Sequence, residues 1–96
     1  MTVIDALCGE LSGLLVGREV AQSPLHPTGE IIRVCPPDVQ QYQARVFFWE
    51  VEVQPTPDDG QGTWGMSFSE LDRLDIIRRA AILTIFRRHL SDVVWE

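Results

Sequence analysis

The chain has 96 residues, of which 45% are hydrophobic and 23% are charged, and its formal net charge is −6 at pH 7. This length fits a single domain over residues 1–96, and the composition is typical of folded globular proteins, which excludes global disorder. No apolar run approaches the ~20 residues that span a bilayer, so no membrane segment is predicted.

The first predicted element is a helix that begins after Thr2, because Asp5 stands three residues later in a capping-box arrangement. Apolar residues recur at helical spacing as far as Leu15, and Gly17 marks the end. The helix carries acidic residues where a secretory leader has a basic start, so we expect a cytoplasmic location. Residues 20–29 contain proline, serine and glycine and are predicted to form a loop.

Three strands are predicted next. Residues 30–35 form a short strand that Pro36 ends. Residues 43–54 form the strongest strand, because β-branched and aromatic residues alternate there by twos. A polar turn with an Asp-Gly step leads to a third strand at residues 63–68. In the middle strand the alternation predicts two faces. One carries Phe47, Trp49, Val51 and Val53, and the other carries Val46, Phe48, Glu50, Glu52 and Gln54. If the first face is the core side, the second faces outward.

The last predicted element is one helix that Ser69 caps and that runs to about Leu90. The predicted order is therefore α-β-β-β-α. The fold class it indicates is α+β, with a three-stranded antiparallel sheet and two helices on one face.

This order of elements resembles that of the double-stranded RNA-binding domain. The resemblance covers the order alone, because that family carries a cluster of lysines at the start of its last helix, where it grips phosphates. Here the same position has the acidic sequence SELDRLD. RNA binding is therefore not carried over from the resemblance.

The distribution of charge also bears on partners. Residues 1–65 hold three arginines and nine acidic residues, whereas residues 66–96 hold five of each. An acidic body repels nucleic acid and anionic membranes and attracts basic surfaces. Direct nucleic-acid binding is therefore disfavoured, and a protein partner with a basic surface is expected.

The arginine-flanked segment 78–90 raises a separate question. At about 100° per residue its arginines spread around the helix and form no stripe that could follow a phosphate backbone. Pairing within the helix is the simpler hypothesis, and it leaves Arg87 without a helical partner. The predicted pairs are Glu70 with Arg73, Asp75 with Arg78 and Arg79, and Arg88 with Asp92. The centre of the helix is apolar in nearly every direction, which indicates burial on more than one side, either in a tightly packed monomer or in a homodimer. For the homodimer, the predicted interface residues are Ile82, Phe86 and Trp95.

The outward face of the middle strand is the predicted partner-binding site. It combines an apolar anchor with acidic groups that would imitate phosphates towards a basic protein surface. Its predicted residues are Phe48, Glu50, Glu52, Asp58 and Asp59.

No catalytic motif, metal-ligand spacing or cofactor motif is present in the sequence, so no enzyme activity, metal or cofactor is predicted. Two classes of function remain. The first is a small acidic inhibitor or adaptor, similar in size and charge to proteins of phages and mobile elements such as anti-CRISPR proteins. The second is a homo-oligomeric structural, assembly or chaperone-like subunit.

Overall fold

The first helix, α1, spans Val3–Leu15 in the computed structural model, which describes residues 2–20, 28–56, 60 and 62–95. The Thr2 hydroxyl accepts from the Asp5 amide while the Asp5 carboxylate accepts from the Thr2 amide, so the predicted capping box is confirmed. Helix α1 packs against β2 and α3, and three of its apolar side chains are fully buried: Leu7, Leu11 and Leu15.

The sheet has four antiparallel strands in the order β1-β2-β3-β4. They are Glu19–Val20, Gly29–Cys35, Glu50–Pro55 and Trp64–Ser67. The α+β class is therefore right, but the prediction of three strands is wrong. The additional strand, β1, has only two residues, and so short a segment carries no alternating pattern that would distinguish it from a loop.

A β-bulge in β2 determines which of its side chains face the core. Ile31 pairs with Val53 and Arg33 pairs with Glu52, so Ile32 is an extra residue between them. The bulge shifts the alternation by one position. As a result Ile31 and Val34 both point into the core, although they are three residues apart.

The strand predicted over residues 43–54 is only half formed. Val46–Phe48 is a 3₁₀ turn, and β3 starts at Glu50. A 3₁₀ turn advances about three residues per turn, so strict alternation does not apply within it. Val46, predicted to face outward, is fully buried, whereas Trp49, Val51 and Val53 are buried as predicted.

The long C-terminal helix predicted from Ser69 is in fact two helices, α2 (Phe68–Arg73) and α3 (Arg79–His89). The cap of α2 is Ser67, in a capping box with Glu70. After α2, Asp75 has a left-handed φ of 58°. The Asp75 amide binds the Asp72 carbonyl and the Ile76 amide binds the Leu71 carbonyl, the two hydrogen bonds of a Schellman motif.

The core lies between the inner face of the sheet and the helices. At its centre the ring of Phe86 stands edge-on to that of Trp49 at 5.2 Å between centroids, and Phe68 lies 6.4 Å from each. All three side chains have no exposed surface. No polar or charged residue is buried among the described residues, so the core is stabilised chiefly by the hydrophobic effect.

Two arginines of the C-terminal half make ion pairs that differ from the predicted ones. Arg79 binds the carboxylate of Asp72 through Nε and Nη2, at 2.6 Å for the shorter contact, and so joins α2 to α3. Arg88 binds Glu10 of α1 at 2.8 Å, and this contact lowers the pKa of that carboxyl group. Arg87 is exposed. The arginines therefore tie elements together across the fold and do not form a common stripe.

The C-terminal segment pairs with the stretch of chain that precedes β3. Val94 donates to the carbonyl of Ala44 and accepts from the amide of Val46, at 2.7 and 3.0 Å. The ring of Trp95 lies 4.6 Å from that of Phe47. These contacts hold residues 44–48 as an ordered approach to β3.

Candidate functional site

The outer face of the sheet gathers most of the charge that the four strands carry. Val20 is buried, so its neighbour Glu19 faces outward, where it stands directly opposite Glu30 on β2. Along β2 and β3, Arg33 faces Glu52 and Cys35 faces Glu50. We call this surface the acidic face; its charged residues are Glu19, Glu30, Arg33, Glu50 and Glu52. Four carboxylates and one guanidinium give it a net charge of −3.

Glu52 is the anchored carboxylate of the acidic face. Its Oε1 accepts from the Thr63 hydroxyl at 2.6 Å and its Oε2 accepts from Arg33 Nε at 2.8 Å. The hydrogen bond from Thr63, followed by that from Arg33, holds the pKa of Glu52 below its usual range, and the same ion pair raises the pKa of Arg33. Glu52 therefore has a fixed position, and its charge is largely compensated by Arg33.

The other three carboxylates are not compensated. Glu19, Glu30 and Glu50 are exposed and have no hydrogen-bond or ion-pair partner among the residues that the structure describes. Glu19 and Glu30 are also cross-strand neighbours, and like charges directly opposite each other destabilise a sheet. The acidic face thus keeps unpaired negative charge at a cost in stability to the free protein.

The hydrogen bond from the Thr63 hydroxyl makes the stability contribution of Glu52 depend on pH. Because the folded pKa of Glu52 is lowered, its interactions stabilise the protein above the unfolded pKa of about 4.3 and lose this effect as the pH falls through the folded pKa. In Thr63→Val we expect the folded pKa of Glu52 to rise towards its ordinary value, as measured by an NMR pH titration of the side-chain carboxyl carbon. Thr84→Val, which removes a hydroxyl that binds only the Ala80 carbonyl in α3, is the matched control. An unchanged Glu52 pKa in Thr63→Val would contradict the assigned hydrogen bond.

A shallow depression of about 200 Å³ lies on the acidic face. Small-molecule pockets usually measure about 300–1,000 Å³, whereas a water molecule takes about 30 Å³ in the liquid. The depression therefore has the size of a side-chain end group. We call it the face depression; the side chains around it include those of Arg33, Cys35, Glu50, Glu52 and Thr63, with Gly65 at its edge on β4.

The thiol of Cys35 in this depression is not activated. Burial raises its pKa, and the carboxylates of Glu52 and Glu50 act in the same direction, although Arg33 opposes them. Burial likewise raises the pKa of Cys8, and both cysteines are free. Since the thiolate is the nucleophile, the raised pKa works against nucleophilic reactivity of both thiols.

The predicted partner-binding residues do not all gather at the acidic face. Glu50 and Glu52 do, and Phe48 is 44% exposed as predicted. The ring of Phe48 packs against Tyr42 at 4.5 Å between centroids, and the guanidinium of Arg45 lies 5.6 Å from its centroid. Phe48, the predicted apolar anchor, thus lies in a small aromatic and basic surface just before β3, beside the acidic face and not within it. Asp58 and Asp59 lie outside the described residues.

Two of the predicted oligomer-interface residues belong to the chain's own core. Ile82 and Phe86 have no exposed surface, because α3 turns both towards the sheet and α1. Both side chains are enclosed within the chain itself, and their assignment to an interface between copies stays a prediction. Trp95 is half-buried, and its ring is covered by the guanidinium of Arg79 at 4.9 Å and by Phe47.

Several residues of the acidic face were missed by sequence reasoning. Glu19 belongs to a two-residue strand, and Arg33 joins Glu30 on the outer face only because of the bulge at Ile32. No sequence pattern marks that bulge. Thr63 was assigned to the third strand, but its partner on β3 depends on strand register, which the sequence does not specify.

Within the described residues, no helix is long and apolar enough to cross a membrane, and no group of three histidine, cysteine or acidic side chains could hold a metal ion. Comparison of the chain with protein-family models, curated proteins and solved structures found no match. The function must therefore be argued from the acidic face itself.

Proposed function

We propose that this chain is a small, non-catalytic protein-binding module, an inhibitor or adaptor that docks its acidic face on a basic site of a partner protein. The observation that carries the proposal is a set of three exposed carboxylates on one sheet face that have no partner in the described part of the chain: Glu19, Glu30 and Glu50. A net charge of −6 over the whole chain adds long-range attraction towards a basic surface.

The opposed pair Glu19 and Glu30 supports binding over a purely structural role. Facing like charges weaken the free sheet, whereas basic groups of a partner placed between them would turn this repulsion into attraction. Folding alone gives no reason for such a pair. A docking surface does, because charge complementarity speeds association and selects the partner.

The most specific form of the proposal concerns proteins that handle nucleic acid. Their basic grooves hold rows of phosphates, and carboxylates on adjacent strands, about 4.8 Å apart, offer a comparable row of negative charge. The chain would then act as an anti-defence inhibitor of the kind that phages and mobile elements make, for example an anti-CRISPR-like protein. Phe48, exposed just before β3, would supply an apolar contact beside the charged ones.

The alternative of a homo-oligomeric assembly subunit has less support. Its predicted interface rested chiefly on Ile82 and Phe86, and both side chains are occupied within the core. The exposed apolar residues of the described chain are scattered over α1, β2 and the loops, as on the surface of ordinary monomers: Val3, Val16, Ile32, Val39, Phe48 and Val94.

The proposal is tested with a charge-reversed variant, Glu30→Arg with Glu50→Arg. The tagged protein is used to capture partners from a lysate of its source cells, and the recovered proteins are identified by mass spectrometry. We expect the wild type to recover a basic protein that is released at high salt, because salt screens exposed charges, and the reversed variant to lose it.

The matched control is Asp38→Arg with Asp92→Arg, which changes the net charge by the same amount at exposed positions outside the sheet. Circular dichroism of all three proteins establishes that they are folded. Recovery of the same partner by the wild type and by both variants would contradict docking through the acidic face.

A further inference from the structure

The face depression has features that select one kind of contact from the partner. Its carboxylates are those of Glu50 and Glu52, and its cation is Arg33, which leaves a net charge of −1. Because Glu52 is already bound by Arg33 and Thr63, the unsatisfied charge belongs to Glu50. One further cation would neutralise the depression.

The space next to Glu50 exists because residue 65 is glycine. A Cβ atom at Gly65 would lie 3.5 Å from Glu50 Oε2 and 3.9 Å from the Val51 carbonyl oxygen, which is ordinary van der Waals contact. Any longer side chain there would extend from the outer face beside the Glu50 carboxylate. The glycine is exposed and is not needed for backbone conformation, since its φ is not positive. Its effect is to leave the approach to Glu50 open.

We propose that the face depression receives a single cationic side chain, arginine or lysine, of the partner protein, with Glu50 as its ion-pair acceptor. This inference rests on the proposed docking function and identifies the group it recognises. The volume of about 200 Å³ fits an end group and not a cofactor-sized ligand. Both oxygens of the Glu52 carboxylate already accept hydrogen bonds, one from Arg33 and one from Thr63. This carboxylate therefore keeps its position, and it would orient the incoming cation towards Glu50.

The test uses three capped tripeptides as probes: acetyl-Gly-Arg-Gly-amide, its lysine analogue, and its citrulline analogue, which keeps the shape of arginine without the charge. Each is titrated into the ¹⁵N-labelled wild-type protein, and amide shifts are followed by NMR. We expect the arginine and lysine peptides to shift the amides of residues 50–52 and 63–65 with dissociation constants on the order of 1 mM, and the citrulline peptide to bind about tenfold more weakly or not at all.

Two variants separate charge from shape. Glu50→Gln removes the acceptor charge and Gly65→Gln fills the approach while keeping every charge, and we expect each to weaken the arginine peptide about tenfold or more. Glu30→Gln, which removes the same charge at a distant position of the acidic face, is the matched control and should bind like the wild type. Equal binding by the citrulline peptide, or unchanged binding by Gly65→Gln, would overturn the inference.

Failure of this inference differs from failure of the proposed function. If Gly65→Gln still recovers the salt-sensitive partner from lysate, the acidic face docks without using the depression, and only the inference is overturned. If the arginine peptide binds at residues 50–52 and 63–65 but the charge-reversed protein recovers the same proteins as the wild type, the cation site stands and the proposed docking function fails.

Discussion

Phe86→Ala is expected to lower the free energy of unfolding by about 3–5 kcal/mol, the usual cost of removing a buried aromatic ring and leaving a cavity. Phe86 has no exposed surface and contacts both Trp49 and Phe68 through edge-to-face ring packing. Neighbouring helices and strands fix these rings, so the cavity can close only in part. A domain of this size has about 5–15 kcal/mol of total stability, so this variant should be close to unfolding at 37 °C.

The measurement is urea denaturation followed by tryptophan fluorescence, since Trp49 lies against the missing ring. Phe48→Ala is the matched control: it makes the same chemical change at a side chain that is 44% exposed, and we expect a loss well below half that of Phe86→Ala. A similar loss in both variants would contradict the central position of Phe86 in the core. A stable Phe86→Ala protein with a lower oligomeric state would instead support the predicted interface role of Phe86.

Gly29→Ala is the second change with a large expected effect, a loss of about 1–3 kcal/mol. Gly29 is buried where β2 pairs with β3. A Cβ atom there would lie 2.6 Å from a Val53 methyl carbon, 2.7 Å from the Gln54 carbonyl oxygen and 2.8 Å from the ring of Trp64. The backbone oxygen cannot move without disturbing the ladder, so the strand itself must shift.

Gly65→Ala is the control for Gly29→Ala. Both glycines lie in strands at ordinary φ values, but Gly65 is exposed and an added methyl group would make only normal contacts. We expect its stability to stay within about 1 kcal/mol of the wild type, with a small gain because alanine restricts the unfolded chain more than glycine does. Denaturant midpoints of the two variants give the comparison, and equal midpoints would contradict the close packing at Gly29.

The helix at the N-terminus shows how much local sequence can decide. Its cap, its apolar spacing and its end at Leu15 all lie within a few residues of one another in the chain, and each was predicted correctly. The same holds for the buried alternation of Trp49, Val51 and Val53 in β3. In these cases the interactions that define the element are made by near neighbours, so the amino-acid pattern contains them.

The wrong predictions concern segments whose local structure depends on residues far away in the sequence. The 3₁₀ turn at Val46–Phe48 is held partly by backbone bonds to Val94, about 50 residues later, which no local pattern indicates. The break between α2 and α3 depends on Asp75 in a left-handed conformation, which sequences usually mark with glycine. Phe86 was assigned to a possible homodimer interface because a three-stranded sheet offered too little cover; within the chain its ring packs against those of Trp49 and Phe68.

The candidate site divides in the same way. The sequence by itself determined the α+β class, the excess of acid in residues 1–65 and the placement of Glu50 and Glu52 on one face, because these depend on composition and on alternation within one strand. Only the tertiary structure decided that Glu19 and Glu30 stand opposite each other, that Arg33 and Thr63 hold Glu52, and that Gly65 opens the approach to Glu50. Those contacts depend on strand register and on a one-residue bulge, and a shift of one position would have turned each side chain to the opposite face.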